Sequence, residues 1–123
     1  MDQHVHKFEP SAVAITLSAS ADVTAGRLLE VTGDGTVAHA GAASTATVGA
    51  AAVDTPSGDK VAVLLGGVQP LVASAAITAG DALIAAADGK VAPIGAGTPD
   101  QIVGYALTSA DNADDLVTAR ITR

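Results

Sequence analysis

The chain has 123 residues, of which 28 are alanine and only three are Phe, Tyr or Met; this length fits a single domain, and the alanine methyls can fill only a thin core. Thirteen Asp and Glu against six Lys and Arg give a net charge of −7, which repels phosphate backbones and anionic lipid and argues against nucleic acid or a membrane surface as partner. The absence of cysteine excludes disulfides and thiol chemistry and fits synthesis in a reducing cytoplasm.

The first ten residues, MDQHVHKFEP, hold two of the three His and the only Phe, with none of the Ala and Gly richness that follows. They carry no basic segment followed by an apolar one, so no signal peptide is expected. This composition marks residues 1–10 as an extended arm outside the core that docks on something else. His4 and His6 could lie on one side of an extended strand, yet no carboxylate cluster or third His lies near them in sequence, so no metal site is assigned.

Beyond the arm, Val13, Ile15 and Leu17 alternate with Ala14, Thr16 and Ser18, the period of a strand with one buried face. The next stretch, VTAGRLLEVTGDGTVA from Val23, returns 54 positions later as ITAGDALIAAADGKVA from Ile77, with eight identities in 16 positions. With one residue inserted, Val48-Gly49-Ala50-Ala51 corresponds to Val103-Gly104-Tyr105-Ala106, so the repeat covers about 23–65 and 77–121. In each copy Asp-Gly, at Asp34-Gly35 and Asp88-Gly89, sits between strand-like segments and predicts a tight hairpin turn. Gly26 and Gly80 mark a second turn at the start of each hairpin, where a glycine tolerates positive φ.

At the end of the first copy, Val61, Val63 and Leu65 alternate with Ala62 and Leu64 and give another strand, and the run VAVLLGGV is far too short to span a membrane. Alanine favours helix, but 13 Gly and five Pro interrupt almost every window. Only Leu71–Ala79 and Ser109–Arg120 leave room for a short helix. The expected fold is therefore all-β: a small barrel or sandwich of two pseudo-repeated hairpin units, residues 11–123, preceded by the arm.

Chemistry-bearing patterns are sparse. Gly33-Asp34-Gly35 lacks the following helix that a phosphate loop needs, and Asp111-Asn112-Ala113-Asp114-Asp115 lacks the central Gly and distant Glu of an EF-hand. No Ser or Thr sits in a strand-turn-helix elbow, and His39, aligned with Pro93, has no partner pattern of a catalytic base. Neither an enzyme nor a cofactor is indicated. Phe8 and Tyr105, the only two aromatic rings, are a slender basis for a glycan platform.

The order of motifs is nevertheless distinctive: Ile77-Thr78-Ala79-Gly80-Asp81-Ala82-Leu83, Asp88-Gly89-Lys90-Val91-Ala92, Ile102-Val103-Gly104-Tyr105-Ala106-Leu107 and Asp115-Leu116-Val117-Thr118-Ala119-Arg120. It resembles the head decoration, or capsid cement, proteins of tailed bacteriophages. The resemblance implies a β-rich structural virion protein, usually a homotrimer, on the outer surface of an icosahedral head, where it bridges and stabilises neighbouring major capsid protein subunits. It also implies that the leading segment reaches onto the capsid, a role that falls here on Asp2, Gln3, His4, Val5, His6, Lys7, Phe8, Glu9 and Pro10. The alternative from the residues alone is a free-standing β-barrel module that binds a small ligand or glycan.

Overall fold

The computed structural model describes residues 14–122, and their architecture is two five-stranded units joined in series. The first comprises β1 (Ala14–Ala19), β2 (Leu28–Gly33), β3 (Thr36–His39), β4 (Thr47–Ala51) and β5 (Lys60–Leu64). These close into a barrel in the order β1-β3-β2-β4-β5, with β5 antiparallel to β1 and a short parallel contact between β1 and β3. The second comprises β6 (Gly67–Val72), β7 (Ala82–Ala86), β8 (Lys90–Pro93), β9 (Ile102–Ala106) and β10 (Leu116–Ile121), in the order β6-β10-β9-β7-β8.

That second order is the first one again. The parallel pair Ala19–Val37 recurs as the bridge Ala73–Val91, and the bond from the Ser20 amide to the Val37 carbonyl recurs from Ser74 to Val91, each at 2.8 Å. The second sheet thus curls as the first does, and the correspondence takes in β1 and β6. Its interior repeats too: Val23, Leu29, Val37 and Val61 are matched by Ile77, Leu83, Val91 and Val117, all buried. Period-2 alternation produces this. In β10, Val117, Ala119 and Ile121 face inward while Leu116, Thr118 and Arg120 do not.

The repeated motifs now have physical meanings. In Thr24-Ala25-Gly26-Arg27 the Arg27 amide bonds the Thr24 carbonyl at 3.3 Å, and Asp81 to Thr78 does the same at 3.0 Å. The third residue of each turn has positive φ, +80° at Gly26 and +95° at Gly80, a conformation that glycine adopts without steric cost. The free amides of the first turn are taken by side chains: Thr24 donates to His39 Nε2 at 2.9 Å and Ala25 to Asp54 Oδ1 at 2.8 Å. In the second, Thr78 donates to Asp81 Oδ2 and Ala79 to Ser109 Oγ. Pro93 offers no acceptor where His39 does, and Asp81 supplies it from within the turn. In the Val-Gly segments, a Cβ on Gly49 or Gly104 would collide with the carbonyl oxygen of Leu64 or Arg120 on the neighbouring strand, so these strands approach closely only because both positions are glycine.

Neither window that left room for a helix contains one. Leu71–Ala79 carries the end of β6 and the bridges at Ala73 and Ile77, and Ser109–Arg120 carries the Ile77–Ala110 bridge and most of β10. Alanine's helix preference is small per residue and yields to pairing that buries Leu71, Ala73 and Val117 on one side. The only helical turns among the described residues are Ala87–Gly89 and Pro99–Gln101.

The two units are held together at one joint. The tip of the β7–β8 hairpin lies against the wall of the first barrel: the Gly89 amide bonds the Ala40 carbonyl at 2.9 Å, the Ala43 amide bonds the Ala85 carbonyl at 2.8 Å, and Arg27 Nη1 bonds the Asp88 carbonyl at 3.0 Å. Leu28, Ala40 and Ala50 leave their own barrel's core and join one buried cluster with Leu83, Ala85 and Val91. Full burial of Leu28 is worth about 1.5–3 kcal/mol, against about 0.8 for a single carbon such as an alanine methyl.

Gly89 is the tightest point of the joint, since a Cβ there would lie 2.6 Å from the Leu28 carbonyl oxygen. Gly67 has the same φ of +71° with its nearest atom at 3.8 Å. Gly67→Ala should therefore cost about 1–2 kcal/mol, the strain of a left-handed backbone, and Gly89→Ala about 1–3 kcal/mol more for overpacking, as read by urea denaturation. His39 yields a second expectation. Burial, then the Arg27 charge, hold its pKa below the ordinary 6.5, opposed by Asp88. The unfolded chain then takes up the proton first, so His39's contribution is complete above pH 6.5 and is lost as pH falls toward the depressed folded value. His39→Gln should flatten that part of the stability–pH curve relative to the parent.

Candidate functional site

The arm residues Asp2, Gln3, His4, Val5, His6, Lys7, Phe8, Glu9 and Pro10 lie outside the described residues. Among the described residues no group of three or more His, Cys, Asp or Glu is placed to hold a metal ion. The acidic run ending in Asp115 is a solvated turn: the Asn112 amide donates to Asp115 Oδ2 at 3.1 Å, and Lys90 Nζ pairs with Asp114 at 2.6 Å. Lys90 holds the Asp114 carboxyl below its ordinary pKa, chiefly through this hydrogen bond. His39, the one described imidazole, spends Nε2 on the Thr24 amide.

The six turn residues singled out by the sequence fall into unlike surroundings. Gly26 and Gly80 head their hairpins at equivalent places. The two Asp-Gly tips differ. Asp88 and Gly89 have positive φ of 60° and 71°, and Gly89 is buried in the joint. Asp34 and Gly35 are exposed, and only Gly35 has positive φ, 74°. At the base of each tip the contrast is the same: Ala85 is 1% exposed, whereas its counterpart Val31 is 47% exposed.

The barrel walls show the reverse asymmetry. In the first barrel the cross-strand row Leu28, Ala50, Leu64 and Ala14 is covered by the second unit at Leu28 and Ala50. The matching row of the second unit, Ala82, Tyr105, Arg120 and Val68, is open. Tyr105 is 43% and Val68 56% exposed, and Leu107, just past the end of β9, and Leu116, on β10, have half or more of their surface in solvent. Aromatic, Arg and aliphatic side chains grouped on an exposed sheet are the composition of a binding surface. Beside this wall an apolar groove of about 320 Å³ runs between the units, lined by Ala50, Ala51, Leu64, Pro70, Val72 and Leu116 among others.

The turn glycines drew attention in the sequence because they repeat; this wall did not, because it is where the repeat breaks. Tyr105 standing where the first copy has Ala50 was its one legible sign. Nothing along the wall supplies a nucleophile beside a base, and what it offers is area for another macromolecule.

Comparison with known proteins follows the same line. No curated protein matches the chain. Among solved structures it is similar to the head fiber gp8.5 N base of bacteriophage phi29, with a TM-score of 0.69 and 29% identity over 89% of this chain and 93% of that one. The phage cement protein family matches residues 8–121, a span that takes in every strand from β1 to β10. This nearly complete match gives one assignment: the chain belongs to the phage cement protein family.

Proposed function

We propose that this chain, a structural protein of the phage head by its family, is a decoration protein that binds the outer capsid surface as a homotrimer and stabilises contacts between major capsid protein subunits. On this reading it is made in the host cytoplasm, acts in the virion and performs no catalysis. The observation that carries the proposal is the family match over residues 8–121, which takes in both five-stranded units and begins within the proposed arm.

The physical logic is consistent with that role. The interiors are built from Ala, Val, Leu and Ile with no buried aromatic ring among the described residues, so each protomer gains from covering its open wall with another surface. Residues 2–10 are the segment proposed to reach the capsid, by adding a strand to an exposed sheet edge. Three such arms on one trimer act at high effective concentration once the first has bound, which multiplies a modest single contact by about 100 to 10,000. Adjacent capsid subunits held in this way resist the outward pressure of packaged DNA.

The groove beside Leu64 and Pro70 favours a second reading, a free barrel module with a small apolar ligand. Light scattering separates the two, since that module would be a monomer. The direct test of the arm is deletion of Asp2–Pro10. The truncated protein should keep its oligomeric size and lose at least about 100-fold in affinity for purified heads, measured by co-sedimentation; undiminished head binding would contradict the assignment.

A further inference from the structure

The joint inside the chain is an interface between two related five-stranded units, and each unit brings a different face to it. The second unit contributes its hairpin tip, with Ala85, Asp88 and Gly89; the first contributes its wall, with Arg27, Leu28, Ala40 and Ala50. An interface of this kind is head-to-tail. It leaves one copy of each face unused: the tip of the first barrel, with Val31, Asp34 and Gly35, and the wall of the second, with Asp81, Ala82, Ile94 and Tyr105.

From this we infer that a second copy of the chain docks its β2–β3 tip on the β7–β9 wall, repeating between chains the joint that each chain already contains. The inference rests on the self-association in the proposed function and names the surface through which it occurs. Heterologous contacts of this kind close into rings when the rotation per copy permits and otherwise run on as filaments; the proposed trimer is the closed case.

Exposure and packing support the pairing. The two faces that would meet include Val31 at 47% and Tyr105 at 43% exposure, although their counterparts Ala85 and Ala50 are each 1% exposed in the joint. Side-chain size is exchanged across the contact. Within the chain a wall leucine, Leu28, meets a tip alanine, Ala85; between chains a wall alanine, Ala82, would meet a tip valine, Val31. The glycine that allows the closest backbone approach is present in both tips, Gly89 in one and Gly35 in the other, and nothing lies within 4 Å of a Cβ on Gly35. The open wall also continues into the existing joint through Pro70, Val72 and Leu116.

Two bonds are not repeated. The Gly97 amide, at the place of Ala43, is already spent on the Ile94 carbonyl at 2.7 Å. Asp81 occupies the place of Arg27, so the Asp88 carbonyl's partner has no counterpart, and the incoming Asp34 would find a like charge. The contact between chains is therefore weaker than the one within the chain, as suits subunits that assemble after folding.

Sedimentation velocity over a concentration series, with circular dichroism as the check on folding, tests this with two variants. Val31→Glu, at a half-exposed position, should weaken association at least about tenfold by placing a charge in an apolar contact beside the like charge of Asp81. Asp81→Asn keeps an acceptor for the Thr78 amide and should tighten association about two- to fivefold, the range of an exposed charge pair. An assembly that both folded variants leave unchanged would overturn the surface while leaving the proposed function in place. A parent chain that stays monomeric at all concentrations would overturn the surface and the proposed trimer together.

Discussion

The approach of Gly89 to the Leu28 carbonyl is the contact on which the molecule's organisation depends. Two units of related sequence could have lain side by side in several ways. One is selected because a residue without a side chain lets the β7–β8 tip reach the backbone of β2. There the Gly89 amide finds the Ala40 carbonyl, and Arg27 reaches over to the Asp88 carbonyl. Leu28 is then sealed among the residues of the second core. A duplicated chain thereby becomes asymmetric: one wall and one tip are consumed, and one of each is left facing solvent.

This asymmetry compensates for a weakness in composition. The interior positions are filled largely by alanine and valine, and the described residues bury no aromatic ring. Units so lightly packed depend on surfaces shared between them, since each apolar group removed from water at a joint adds to a small total. The inter-barrel joint supplies part of that shared surface within one chain. For a component of a phage head, the remaining apolar wall around Val68, Tyr105 and Leu116 is the natural place for more.

Much of this was legible in the residues, and the limits of legibility have physical causes. The repeat, the all-β class and the turns at Gly26, Gly80 and the Asp-Gly pairs could be read because they are local. Glycine at positive φ and period-2 alternation leave marks within a few residues. The closed strand order was not legible, because the parallel contact between β1 and β3 is long-range and rests on a few backbone bonds of ordinary residues. His39 aligns with Pro93 in the repeat, and its acceptor role is invisible until the fold brings Thr24 to it. The windows at Leu71–Ala79 and Ser109–Arg120 looked free for helix only because their partner strands lie far off in sequence. As for the wall, a binding surface in a repeat protein shows where one copy departs from the other, and identity counting discards that signal.

The most direct test of this account is an electron cryo-microscopy map of decorated heads at side-chain resolution. The account predicts that the β2–β3 tip of each copy is seated on the β7–β9 wall of its neighbour, with the barrel-to-barrel geometry found inside the chain. Copies standing apart on the shell, with Val31 and Tyr105 both bare, would contradict it.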